Sequence, residues 1–110
     1  MEIQVRDVPS EDRFEARDAD GTLLGIAVYY REPEAPGVPG LLVFTHTEVE
    51  EAAEGHGVGS RLAHDALEHA RATGQQVVAL CPFVRAYLAR HPEYQDLVRP
   101  VPDPSGPAAG

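Results

Sequence analysis

The 110-residue chain has no lysine, no tryptophan, a single cysteine and no apolar run near the ~20 residues that cross a bilayer. With Cys81 alone, an intramolecular disulfide framework is excluded, as is a zinc site built from several thiolates. The start, Met-Glu-Ile-Gln-Val-Arg, lacks the apolar stretch of a secretory signal, so a cytoplasmic location is expected. Positive charge is also scarce: nine arginines face eighteen acidic residues, for a net charge of -9. A general nucleic-acid binder needs a basic face, so no nucleic-acid partner is expected, and no membrane partner either.

What is present suffices for one globular domain. Leu, Ile, Val and Phe make 26 of 110 residues, above the range of disordered chains. Weak alternation at Ile3, Val5 and Val8 predicts a first strand that Pro9 and Ser10 end. Phe14 and Ala16 share one face of a second strand, and Ala19-Asp20-Gly21 is a hairpin signal. Leu23 to Tyr30 reads as a long strand, residues 31–40 as a Pro/Gly loop, and Leu41–Phe44 as a central strand covered on both faces. The period then changes. Val58, Leu62, Ala63, Ala66, Leu67 and Ala70 form one helical stripe within 57–73, with Gly74 placed to end it. Val77–Leu80 is a further strand, and Pro82 opens a final helix that Pro92 stops.

The predicted fold class is α+β: an antiparallel N-terminal meander, then a right-handed βαβ unit, then a short final helix. Residues 1–98 form the domain, and the Pro/Gly-rich residues 99–110 a disordered tail. In so small a sheet an exposed edge strand makes either a monomer or a homodimer the expected state.

Three unusual segments converge on the carboxyl edge of the parallel strands, where ligands of such sheets collect. Glu54-Gly55-His56-Gly57-Val58-Gly59-Ser60-Arg61 leads into the long helix, whose N-terminus carries partial positive charge and suits a phosphate. It is not a Walker loop, since no Gly-Lys-Ser/Thr follows, and its spacing does not fit a dinucleotide fingerprint. A glycine-rich helix entry without a ligand is the competing reading. His46-Thr47-Glu48-Val49 closes the central strand, and Cys81-Pro82-Phe83 follows its parallel neighbour. Cys81 stands at an expected N-cap, where the helix dipole favours a thiolate, and His46 on the adjacent strand is placed as its base or hydrogen-bond partner. A lone cysteine is otherwise a small core residue. His64 and His69 are five apart and do not share a helical face, so no metal site is expected.

Together the His46–Val49 segment, the glycine loop, its helix and the Cys81 turn resemble the GNAT superfamily of acetyltransferases, in its minimal single-domain branch. The likeness covers residues 2–98 and is densest over 46–98. Against the superfamily motif, Gly57 and Gly59 match, while Glu54 stands where Gln or Arg is usual. The resemblance implies an N-acetyltransferase that moves acetyl from acetyl-CoA to an amine. A non-catalytic coenzyme A-binding module or an interaction domain is the alternative. By resemblance, the N–H groups of His56, Gly57, Val58, Gly59 and Ser60 hold the pyrophosphate of coenzyme A, with Arg61 beside them. The strand at Thr47 and Val49 pairs with the pantetheine arm. Cys81, His46 and Glu48 are the catalytic candidates. The superfamily's helix tyrosine falls on Leu88, with Tyr87 one step away. The acidic surface suits a cationic acceptor, a small polyamine-like amine or the amine of a basic protein segment. An enzyme that modifies amines gains by offering none on its own side chains, although a GC-rich genome is the simpler explanation of the missing lysines.

Overall fold

The computed structural model describes residues 2–99. Five strands form one sheet in sequence order: β1 (Gln4–Val8), β2 (Arg13–Arg17), β3 (Leu23–Glu32), β4 (Leu41–Val49) and β5 (Gln76–Ala79). β1 to β4 pair antiparallel and β4 with β5 parallel. Helix α1 (Val58–Ala72) makes the parallel crossover and α2 (Pro82–Arg90) follows β5. This is the expected α+β architecture, meander first and βαβ unit second.

Alternation along the strands divides the sheet into two unlike faces. Phe14, Ala16, Ala27, Tyr29, Leu42, Phe44 and Val77 point toward the helices, and every buried helical side chain joins them in one core. The opposite face has only Leu41, Val43 and Val78 as a small buried group, and no helix covers it among the described residues. A two-layer domain with one open sheet face results.

The chain does not stop contributing after α2. Pro92–Leu97 winds into a 3₁₀ stretch that buries Tyr94 and Leu97. The Tyr94 hydroxyl donates to Glu68 Oε2 at 2.6 Å, and Arg71 donates to both carboxylate oxygens of Asp96. Val98 then pairs in parallel with Val77. Arg99, the first residue of the expected tail, is tied down: its N–H donates to Val77 O at 2.9 Å and its guanidinium to Gln76 Oε1 and Pro39 O. The remainder of that tail lies outside the described residues.

Candidate functional site

β4 and β5 separate at Phe44. Their last pair is Phe44 with Ala79, and the Phe44 carbonyl accepts two N–H groups, from Leu80 at 2.9 Å and Cys81 at 3.0 Å. Beyond it β4 runs on through Thr45–Val49 with β3 on one side and, among the described residues, no strand on the other. Glu50 N–H donates to Leu24 O at 2.8 Å. Strand alternation therefore turns the backbone groups of Val49 and Thr47 the other way, into the opening. An extended ligand could add to this free edge as a strand would.

A β-bulge decides which side chains meet there. The β3–β4 register steps from Tyr29 opposite Phe44 to Val28 opposite His46, so Thr45 is an extra residue. From that point the parity of β4 is reversed. Thr47 and Val49 lie on the helix side, with Val49 packed against the core. His46 and Glu48 lie on the open face, exposed, with Nε2 and Oε2 3.6 Å apart. Cys81 is buried, and its thiol donates to Thr47 Oγ1 at 3.3 Å. The expected juxtaposition of His46 with Cys81 is thus corrected: Thr47 is the partner of the thiol, and His46 is beside Glu48 on the opposite face of the sheet.

Next to this opening lies the mouth of α1. Gly57 is its N-cap with φ 77°, no side chain caps the helix, and its first turn holds no acidic residue. The earliest helical bond runs from Arg61 N–H to Gly57 O, so the N–H groups of Val58, Gly59 and Ser60 have no acceptor among the described residues. A Cβ on Gly57 would meet nothing within 4 Å, so space is open beside the N-cap. Three unmatched donors at the positive end of a fifteen-residue helix suit an anion such as a pyrophosphate. The hollow at this mouth, about 220 Å³, is lined by Val49, Glu54, Gly57, Gly59, Ser60 and Phe83 among others. Gly59 matters by its absent side chain, because a Cβ there would come within 2.6 Å of the Phe83 ring.

The other candidates separate from this centre. His56 and Glu54 are exposed on the loop. Arg61 is drawn along its helix to Asp65 at 3.0 Å, and Arg85 donates to the Ala79 carbonyl. Tyr87 is buried, stacked on His91 at 3.9 Å, with its hydroxyl held above the ordinary tyrosine range by burial and by Glu93, Asp65 and Glu68. Leu88 is core. His64 pairs with Asp65 and His69 with Asp7, and no group of three metal-type side chains occurs among the described residues.

The gap between two parallel strands lies beside an uncapped helix mouth, at the sheet edge where ligands of such folds collect. The family model described as GCN5-related N-acetyl-transferase matches residues 13–97. The chain belongs to that family, whose members use acetyl-CoA as co-substrate. A GCN5-like N-acetyltransferase candidate from Staphylococcus aureus, solved in solution, has the same fold at 23% identity and TM-score 0.62 over 94% of each chain. A ribosomal-protein-alanine N-acetyltransferase from Brucella melitensis is 21% identical with TM-score 0.57, over 84% of this chain and 66% of that one. An acetyltransferase from Trypanosoma brucei is 15% identical with TM-score 0.55 over 93% and 94%. No curated protein matches the chain.

Proposed function

We propose that the protein transfers acetyl from acetyl-CoA directly to a primary amine, with donor and acceptor entering from opposite faces of the sheet. The observation that carries this reading is the free edge of β4 ending at the three unmatched N–H groups of α1. Acetyl-CoA, when bound, supplies an activated acyl group as a thioester. Val58, Gly59 and Ser60 N–H groups hold its pyrophosphate, and the backbone at Thr47 and Val49 aligns the pantetheine arm and polarises the acyl oxygen.

On the open face, Glu48 attracts the cationic amine, which gives up one proton to water to become the free amine, and His46 takes a second proton from its nitrogen during attack. As the new carbon–nitrogen bond forms and the carbon–sulfur bond breaks, the departing sulfur takes a proton from Cys81. Proton exchange with water restores His46 and Cys81. Direct transfer is favoured over an acetylated Cys81 because the thiol's neighbour is the hydroxyl of Thr47, while the imidazole is on the opposite face.

The test is a thermal melt with and without acetyl-CoA, repeated on Gly57→Glu, followed by a thiol-release assay with an amine. A donor at a hundred times its Kd adds about 2.7 kcal/mol, or about ten degrees or more for a domain this size. The shift is expected in wild type and lost in the variant, which places a carboxylate before the unmatched donors. Binding without turnover on any amine would leave a coenzyme A-binding module, the reading that Glu54 at the loop favours. No shift in wild type would end the donor-site assignment.

A further inference from the structure

The open sheet face carries apolar side chains that the fold does not use. Tyr30 is 47% exposed and Leu80 43%. Tyr30 stands on this face opposite Val43, and Leu80 continues the parity of Val78 at the end of β5. Tyr30 is two positions along β3 from Val28, which faces His46, and Leu80 meets β4 at Phe44, just before His46. On the β3 side of that pair, Val28 is opposite His46 and Ile26 opposite Glu48, both half-buried. A carboxylate and an imidazole therefore stand within an apolar patch.

Charge on the same face narrows what fits. Farther out, Arg13 lies beside Val28 and Glu15 beside Ile26, with Arg17 and, on β1, Arg6 next to them. Glu15 is consumed by Arg13 and Arg17, leaving this half of the face net positive. A second ammonium extending from Glu48 across the sheet would meet those arginines, whereas an uncharged apolar body would meet Val28, Tyr30 and Leu80.

Resting on the acetyl-transfer reading above, we infer that the acceptor is a primary monoamine borne on an aromatic or branched apolar body. Its nitrogen sits at His46 and Glu48, and its body covers Tyr30 and Leu80. A polyamine is disfavoured even though the overall charge attracts one.

The full chain with acetyl-CoA is assayed on phenethylamine, ethylamine and putrescine. Phenethylamine is expected to exceed the other two at least tenfold in kcat/KM, mostly through KM. Tyr30→Ser and Leu80→Ser, both at exposed positions, are expected to shrink that preference to less than threefold with melting temperature within two degrees of wild type. Equal or better use of putrescine, or a preference that survives both substitutions, overturns the inference and leaves amine acetylation standing. An independent readout is titration of the protein with phenethylamine followed by amide NMR. Shifts centred on Val28, Tyr30 and Leu80 support the inference even if no amine is acetylated, in which case the transfer reading alone falls. Absence of shifts at those residues overturns it.

Discussion

Glu15 is buried beneath two guanidinium groups, accepting from Arg13 Nε and Nη2 at 2.9 and 2.7 Å and from Arg17 Nε at 3.1 Å. The Arg13 bonds, helped by Arg17, hold its carboxyl below the usual carboxylate range against the opposing effect of burial. With the folded value depressed, its contribution is fully present above the unfolded value of about 4.3 and is lost as pH falls through the folded value. Glu15→Gln is expected to cost about 1 kcal/mol at pH 7 in urea unfolding, and the gap to wild type should close on acidification below about pH 4. Cys81 lends itself to a similar test. Cys81→Ala should lower kcat by about ten- to a hundredfold without abolishing transfer, the range expected for losing a proton donor. Isolation of an acetyl group on the Cys81 sulfur during turnover would contradict the direct route. The convergence of β4, the glycine loop and Cys81 was legible in the sequence because Gly57, Gly59 and Pro82 mark helix entries by type and spacing. The partner of Cys81 was not. In an unbroken strand His46 would share the face of Leu42 and Phe44, and one inserted residue, Thr45, exchanges it for Thr47. Nothing in Phe-Thr-His-Thr announces that bulge.

At the level of elements, α1 and its mouth are where local sequence and function coincide. The apolar stripe predicted a helix over 57–73, and the helix spans Val58–Ala72, since glycines at both ends adopt the positive φ that residues with a Cβ avoid. Gly59→Ala is expected to push the Phe83 ring away from the helix, weakening acetyl-CoA binding several-fold, with a change of less than about 1 kcal/mol in stability because Phe83 is 36% exposed and free to swing. Calorimetric titration beside urea unfolding separates the two effects. The Pro92–Leu97 stretch went unseen because six residues of 3₁₀ structure show no helical period, and its burial depends on Glu68 and Arg71 more than twenty residues earlier. Tyr94→Phe removes the hydroxyl that donates to Glu68 and should cost about 1 kcal/mol in urea unfolding while leaving kcat unchanged.

Taken whole, the chain is strongly acidic, and its described residues place a helical layer on one side of the sheet and none on the other. Its net charge of -9 draws cations and repels anions over a distance that salt shortens from about 30 Å at 0.01 M to about 8 Å at 0.15 M. Raising salt over that interval should therefore lower kcat/KM for a cationic amine several-fold and speed the association of acetyl-CoA, opposite responses that one ionic-strength series measures. The order of the layers was readable from period changes along the chain. The bare face was not, because Ile26, Val28 and Tyr30 alternate with buried neighbours as they would in a sheet covered on both sides.

The doubly engaged Phe44 carbonyl has a consequence in time. Because Leu80 and Cys81 both close onto it, the last rung between β4 and β5 is fastened and the gap beyond stands open before anything enters. No strands have to be prised apart on the way in. Stopped-flow mixing with excess acetyl-CoA should then give a single exponential whose rate climbs in proportion to concentration, whereas a rate that levels off would reveal a slow opening step that this rung does not require.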